Sequence, residues 1–212
     1  MKIYTFDNKI MTLDGKWMEQ PSAPPGPQPP GPQPPTLPPY TLRLKYFDGD
    51  PPSNQFGTVT QVSSSPNIWD LHYEGEDWTE ILNGDASLIE IVAGNLSGVT
   101  IVENMCGGCE NLTAVNDLFG TSGITNAYYM FSDCAALITV PLFNTTSMTN
   151  VGFMFVRCFN VESGALALYN QMSTQANPPI DHNRTFFRCG RDTVTGAAEL
   201  AQIPASWGGT ME

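Results

Sequence analysis

At 212 residues, with 41% hydrophobic side chains, the chain is long enough for one core and at most two domains. Its 21 Asp and Glu against 9 Lys and Arg leave a formal net charge of −12, and a surface of that sign repels phosphate backbones and anionic lipid, so nucleic-acid and membrane-surface partners are not expected. The imbalance is local: no basic residue lies between Lys45 and Arg157, whereas thirteen acidic ones do.

The chain opens Met1-Lys2-Ile3-Tyr4-Thr5-Phe6 without a long apolar run, which reads as neither a secretory signal nor a membrane-spanning helix. Residues 2–6 and 9–13 are short apolar-rich runs around Asp7-Asn8, the pattern of a β-hairpin, and Asp14-Gly15 and Trp17 follow. Two strands of that size are marginal alone. Residues 1–20 are therefore expected to be an anchor peptide that docks on a larger body through Ile3, Tyr4, Phe6, Ile10, Leu13 and Trp17. The plainer alternative is that they pack on their own C-terminal domain.

Residues 21–39 are dominated by proline, and Gly26 and Gly31 are five positions apart, which excludes a collagen triple helix. A polyproline II linker at about 3.1 Å per residue holds its flanks on the order of 60 Å apart when fully extended. Such a segment can also be an SH3-type ligand, but between two structured pieces the spacer reading is preferred. Beyond it Tyr40, Leu42, Leu44 and Tyr46 alternate with polar residues, which predicts a half-buried strand. Residues 57–62 and 68–73 are further strand candidates, and 40–77 is read as a β-rich N-terminal cap.

Residues 78–161 carry a repeat. Trp78, Ile81, Leu82 and Asp85 are followed by Val102, Met105, Cys106 and Cys109, then Ala127, Met130, Phe131 and Cys134, then Val151, Met154, Phe155 and Cys158, at steps of 24, 25 and 24 residues. The spacing i, i+3, i+4, i+7 predicts one stripe of a short helix. A Thr precedes each of the last three stretches (Thr100, Thr125 and Thr149), which suits an N-cap, and Thr100 with Glu103 reads as a capping box. Apolar runs at 88–91, 112–115 and 137–140 read as strands. One rung is thus a strand, a turn and a helix, and the expected fold is an α/β solenoid of such rungs, capped at both ends. Asp85 takes the cysteine column beside the cap, where a carboxylate is expected to reach solvent or a helix end. Residues 162–212 form the C-terminal cap, with helical spacing at 164–175 and an F-x-x-C echo at Phe186 and Cys189.

The segments Met130-Phe131-Ser132-Asp133-Cys134-Ala135-Ala136-Leu137 and Val140-Pro141-Leu142-Phe143-Asn144-Thr145-Thr146-Ser147-Met148-Thr149-Asn150 resemble the BspA-like leucine-rich repeats of bacterial surface proteins. The match is specific in two rungs, degenerate over Val102–Cys109 and weak over Trp78–Asp85. Similar repeat proteins occur in gut bacteria and their tailed phages, including the crAss-like group. The resemblance implies a leucine-rich-repeat-type solenoid. Together with the anchor and linker it implies a phage virion decoration or head-fibre protein, attached to the capsid by its N-terminus and assembled in the host cytoplasm. Its solenoid would stand on the virion surface and contact host glycan or protein, with Glu90, Thr113 and Thr139 as the exposed strand positions for a ligand. A homotrimer is compatible with a fibre. The alternative is a bacterial surface adhesin of the same repeat family.

Catalytic chemistry finds no residues to stand on, and neither a cofactor nor a metal is expected. Cys106-Gly107-Gly108-Cys109 has the spacing of a redox or zinc half-site, but both thiols lie on the core columns and no second ligand pair accompanies them. The five cysteines are expected to be free. His72 and His182 have no nucleophile motif beside them. Asp48-Gly49-Asp50 and Glu74-Gly75-Glu76-Asp77 depart from the calcium-loop pattern and read as turns.

Overall fold

The structure, a computed structural model, describes residues 5–6, 9–11, 17–19, 37–47 and 56–209. The chain divides into two units, Met1–Thr36 and Leu37–Glu212. In the first, β1 (Thr5–Phe6), β2 (Lys9–Met11) and β3 (Trp17–Glu19) form an antiparallel sheet in that order. Ile10 pairs with Thr5 on one side and Met18 on the other. Trp17, read from sequence as following the hairpin, opens a third strand.

The second unit is built on a mixed six-stranded sheet. Its strands are β4 (Thr41–Tyr46), β5 (Thr58–Ser64), β6 (Asn67–His72), β7 (Leu88–Asn95), β8 (Ala114–Val115) and β9 (Leu118–Phe119). Their order is β5-β6-β4-β7-β8, with β9 also on β7. Pairing is antiparallel from β5 to β7 and parallel from β7 onward. The alternation in β4 buries Leu42, Leu44 and Tyr46, while Arg43 on its other face makes a two-pronged ion pair with Asp70. Two short α-helices, α1 (Ala165–Thr174) and α2 (Val194–Leu200), follow the sheet. None of the described helices is long and apolar enough to cross a membrane.

This corrects the expected fold. The unit is mostly β, and the strand-turn-helix solenoid is not what forms: residues 78–85, 102–109, 127–134 and 151–158 are runs of turns, not helices. Their hydrogen bonds give the reason. In a helix every N–H is spent four residues back in its own segment. Here alternate amides leave the segment: Val102, Asn104, Cys106 and Gly108 donate to the carbonyls of Asn126, Tyr128, Met130 and Ser132 at 2.8–2.9 Å. The amides between them, of Met105, Gly107 and Cys109, turn back three residues at 3.2 Å. The same alternation joins 78–84 to 101–107, 127–133 to 150–156, and 151–157 to 181–187.

Chained turns place every third or fourth residue inward much as a helix does, so the apolar stripe is real and its backbone is different. The third and seventh residues of each run are left-handed: Glu80 and Gly84, Asn104 and Gly108, Tyr129 and Asp133, Phe153 and Arg157, Arg184 and Arg188. No α-helix accommodates such a residue in every turn. Thr100, Thr125 and Thr149 cap no helix. Each Oγ1 donates to a carbonyl about 24 residues earlier, of Glu76, Thr100 and Thr125 respectively. The strand signal also fades along the chain: 112–115 keeps only β8, and 137–140 keeps a single bridge, Thr139 to Ser163.

Parallel bridges tie Asp77, Ile101, Asn126, Asn150 and Asp181 into one row. Four of these open their turn run by accepting the amide two residues on. Inside the ladder Phe131, Phe155 and Phe186 stack at centroid distances of 5.3 and 5.9 Å. Each such burial contributes about 1.5–3 kcal/mol.

Candidate functional site

The interior columns offer no reactive chemistry. All five cysteines are free and buried, and burial pushes the thiols of Cys106, Cys134, Cys158 and Cys189 up. Three of the thiols bind one turn run to the one before it. Cys109, Cys134 and Cys158 donate to the carbonyls of Leu82, Cys106 and Phe131 in the preceding run, at 3.0–3.2 Å. Cysteine suits the column because it is small, apolar and a weak donor. Asp85, at the same column, is only 6% exposed, which rules out the solvent-facing alternative of the two expected for it. It accepts from the Ser87 amide at 3.1 Å and lies beside the Tyr46 phenol, whose pKa is raised by burial and by this carboxylate.

The predicted ligand positions do not converge. Glu90 accepts from Asn116 Nδ2 at 2.7 Å and from Lys45 Nζ at 3.4 Å. Thr113 donates its hydroxyl to the Ile89 carbonyl. Thr139 is exposed. Glu90 is in register with Ala114, whereas Thr113 lies on the row that runs from Ile89 to Ile138, so the three do not form one column. Of the predicted anchor residues, Phe6 lies in β1, Ile10 in β2 and Trp17 in β3. Ile3, Tyr4 and Leu13 lie outside the described residues, as does Asp48-Gly49-Asp50.

His72 Nδ1 bonds Thr41 Oγ1 at 3.0 Å, and His182 stacks on Trp207 at 4.2 Å. Asp77 is held below the usual carboxylate range by the Thr79 hydroxyl and amide. Among the described residues no group of three or more His, Cys, Asp or Glu is placed to hold a metal.

Two of the hollows lined by described residues bear on a ligand. The larger, about 400 Å³, lies between the 142–146 loop and α1. Its polar groups are spent on one another: Gln171 Nε2 donates to the Phe143 carbonyl and to Thr145 Oγ1, and Thr145 Oγ1 donates to Gln175 Oε1. That hollow pins a loop to a helix.

The smaller, about 220 Å³, lies on the last turn runs and is lined by Tyr129, Phe153, Val156, Arg157, Arg184, Phe187 and Arg188. The Tyr129 and Phe153 rings stack at 4.9 Å, with Tyr128 edge-on to both. Arg184 and Arg188 each place a guanidinium over the Phe187 ring, at 5.2 and 5.1 Å. Arg157 is occupied by a two-pronged ion pair with Asp133, whose hydrogen bonds raise its pKa. Five of the seven lining residues hold left-handed backbone, which costs a non-glycine residue roughly 1–2 kcal/mol. Upstream, the corresponding positions are Glu80, Gly84, Asn104 and Gly108, three of them residue types that tolerate this conformation.

Sequence reasoning misses this cleft. The signal is present in the outward columns: counted from Trp78, the third and seventh positions become aromatic and basic only toward the C-terminus. The chain matches no family model, no curated protein and no solved structure.

Proposed function

We propose that the protein is a non-enzymatic display protein of a phage virion, fastened by its N-terminal unit and presenting its larger unit for recognition of the host surface. The observation that carries this reading is the division of the chain at Thr36 and Leu37, inside the proline-rich segment. A very short three-stranded sheet gains little stability alone, so docking on a capsid or other virion protein is the economical role for it. The proline-rich stretch of the sequence joins that unit to the second. The exposed arginine-aromatic cleft, in a chain of net charge −12, is the part of that second unit best equipped to hold a ligand. No membrane insertion or nucleic-acid partner is proposed.

The test is mass spectrometry of purified particles carrying either the full chain or a chain lacking residues 1–20. The full chain is expected at many copies per particle, and the shortened chain folded but absent from particles. Full incorporation of the shortened chain contradicts the anchor. Recovery from bacterial envelopes alone contradicts the virion reading and favours a surface adhesin.

A further inference from the structure

We infer that the cleft on the last turn runs is a binding site for an acidic saccharide, a pyranose ring bearing a carboxylate or a sulfate ester. The inference rests on the display reading above and supplies the chemistry of its ligand. Arg184 and Arg188 are held by the Phe187 ring at 5.2 and 5.1 Å, and neither forms an ion pair with a carboxylate among the described residues. A guanidinium over an aromatic ring still has N–H groups to offer an oxyanion, which arginine binds in two-pronged fashion. Arg157 is already matched by Asp133, so among the described residues Arg184 and Arg188 are the cations of this cleft left to a ligand.

Beside them the stacked pair Tyr129 and Phe153 offers apolar ring surface, with buried Val156 also lining the hollow. Flat aromatic surface next to fixed cations suits a ring whose one side is C–H and whose substituent is anionic. A hollow of about 220 Å³ is smaller than drug-sized pockets, which favours one ring over a length of peptide. A long polyanion is disfavoured by the net charge of −12. A single oxyanion, by contrast, meets two local cations that are unpaired among the described residues.

The backbone adds an independent observation. In the first four runs the amides at the third and seventh positions donate to the next run, and these positions are left-handed in all five. Bulky side chains at Tyr129, Phe153, Arg184 and Arg188 therefore retain strain that glycine or asparagine would relieve, and such strain collects at binding sites. These positions face away from the core columns, so packing of the interior does not require them.

Calorimetric titration of the full chain tests this with glucuronic acid, glucose 6-sulfate, glucose, inorganic sulfate and hexaglutamate. At least one acidic sugar is expected to bind with a Kd on the order of 1 mM, and the one that binds more tightly identifies the oxyanion. Glucose and inorganic sulfate are expected to be at least about tenfold weaker. Joint Arg184→Gln and Arg188→Gln substitution is expected to weaken the acidic sugar at least about tenfold with an unchanged thermal midpoint. Phe187→Leu is expected to act in the same direction. Equal binding of glucose, equal binding of sulfate (an ion site only), tighter binding of hexaglutamate, no binding of either acidic sugar, or full affinity in the double variant overturns the inference. Deleting residues 1–20 should leave the titration unchanged, and the double variant should leave particle incorporation unchanged, so failure of the site and failure of the anchor are separable.

Discussion

The first and fourth turn runs share a backbone and differ on their outside. Residues 78–85 and 151–158 donate alternate amides to the next run in the same pattern and carry left-handed residues at the same two positions. The first presents Glu80 and Gly84, whereas the last two present Phe153, Arg157, Arg184 and Arg188. Interior columns are constrained by stacking and change little in character; outward side chains do not pack in the interior, so a difference there reports on something other than core packing.

The largest effect should come from the interior. Phe155 stands between two stacked rings, and Phe155→Ala should cost about 3–5 kcal/mol in urea unfolding. Cys106→Ala, at the corresponding column, removes far less volume and should cost about 1 kcal/mol. Equal losses would break the idea that the downstream runs carry the heavier packing. Next is Asp85→Ala, which strands the Ser87 amide and strips the buried Tyr46 phenol of its carboxylate neighbour. We expect a loss of about 1–3 kcal/mol, where a solvent-facing Asp85 would give almost none.

Alkaline pH sharpens the same contrast. Burial raises four of the thiols above their ordinary value of 9.0, so the folded state keeps protons that the unfolded state gives up. Their contribution is fully present below that value and is lost as pH rises past it. The urea midpoint should fall between pH 8 and about pH 10, and less steeply in Cys134→Ala. Native thiols should resist alkylation at pH 8, and all five should react in urea. The smallest effect belongs to the outside: Arg184→Gln with Arg188→Gln should move stability by no more than about 0.5 kcal/mol, measured by urea unfolding beside the sugar titration. A large loss would make those side chains part of the fold.

The period and the inner columns are legible in the sequence because stacking demands apolar residues at fixed intervals. The backbone is not, because the spacing i, i+3, i+4, i+7 fits a helix and a chain of turns alike, and the partner of each outgoing amide lies 23 or 24 residues away, and 30 at the last step. Asn104, Gly107, Gly108 and Asp133 are the available warning, turn-forming residues where a helix would prefer others. The cleft is hidden for a further reason. The step from Val151 to His182 is 31 residues, lengthened by α1, so the F-x-x-C echo at Phe186 and Cys189 reads as part of a cap and Arg184, Phe187 and Arg188 do not align with Phe153 at the regular period.

Tyr129, Phe153 and Arg184 meet only because successive runs bond in register, and that register can be read directly. Scalar couplings across hydrogen bonds, measured by NMR on the labelled chain, should connect the amides of Val102, Ala127 and Val151 to the carbonyl carbons of Asn126, Asn150 and Asp181. Couplings that instead join each amide to the carbonyl four residues before it would restore the helices and dissolve the cleft.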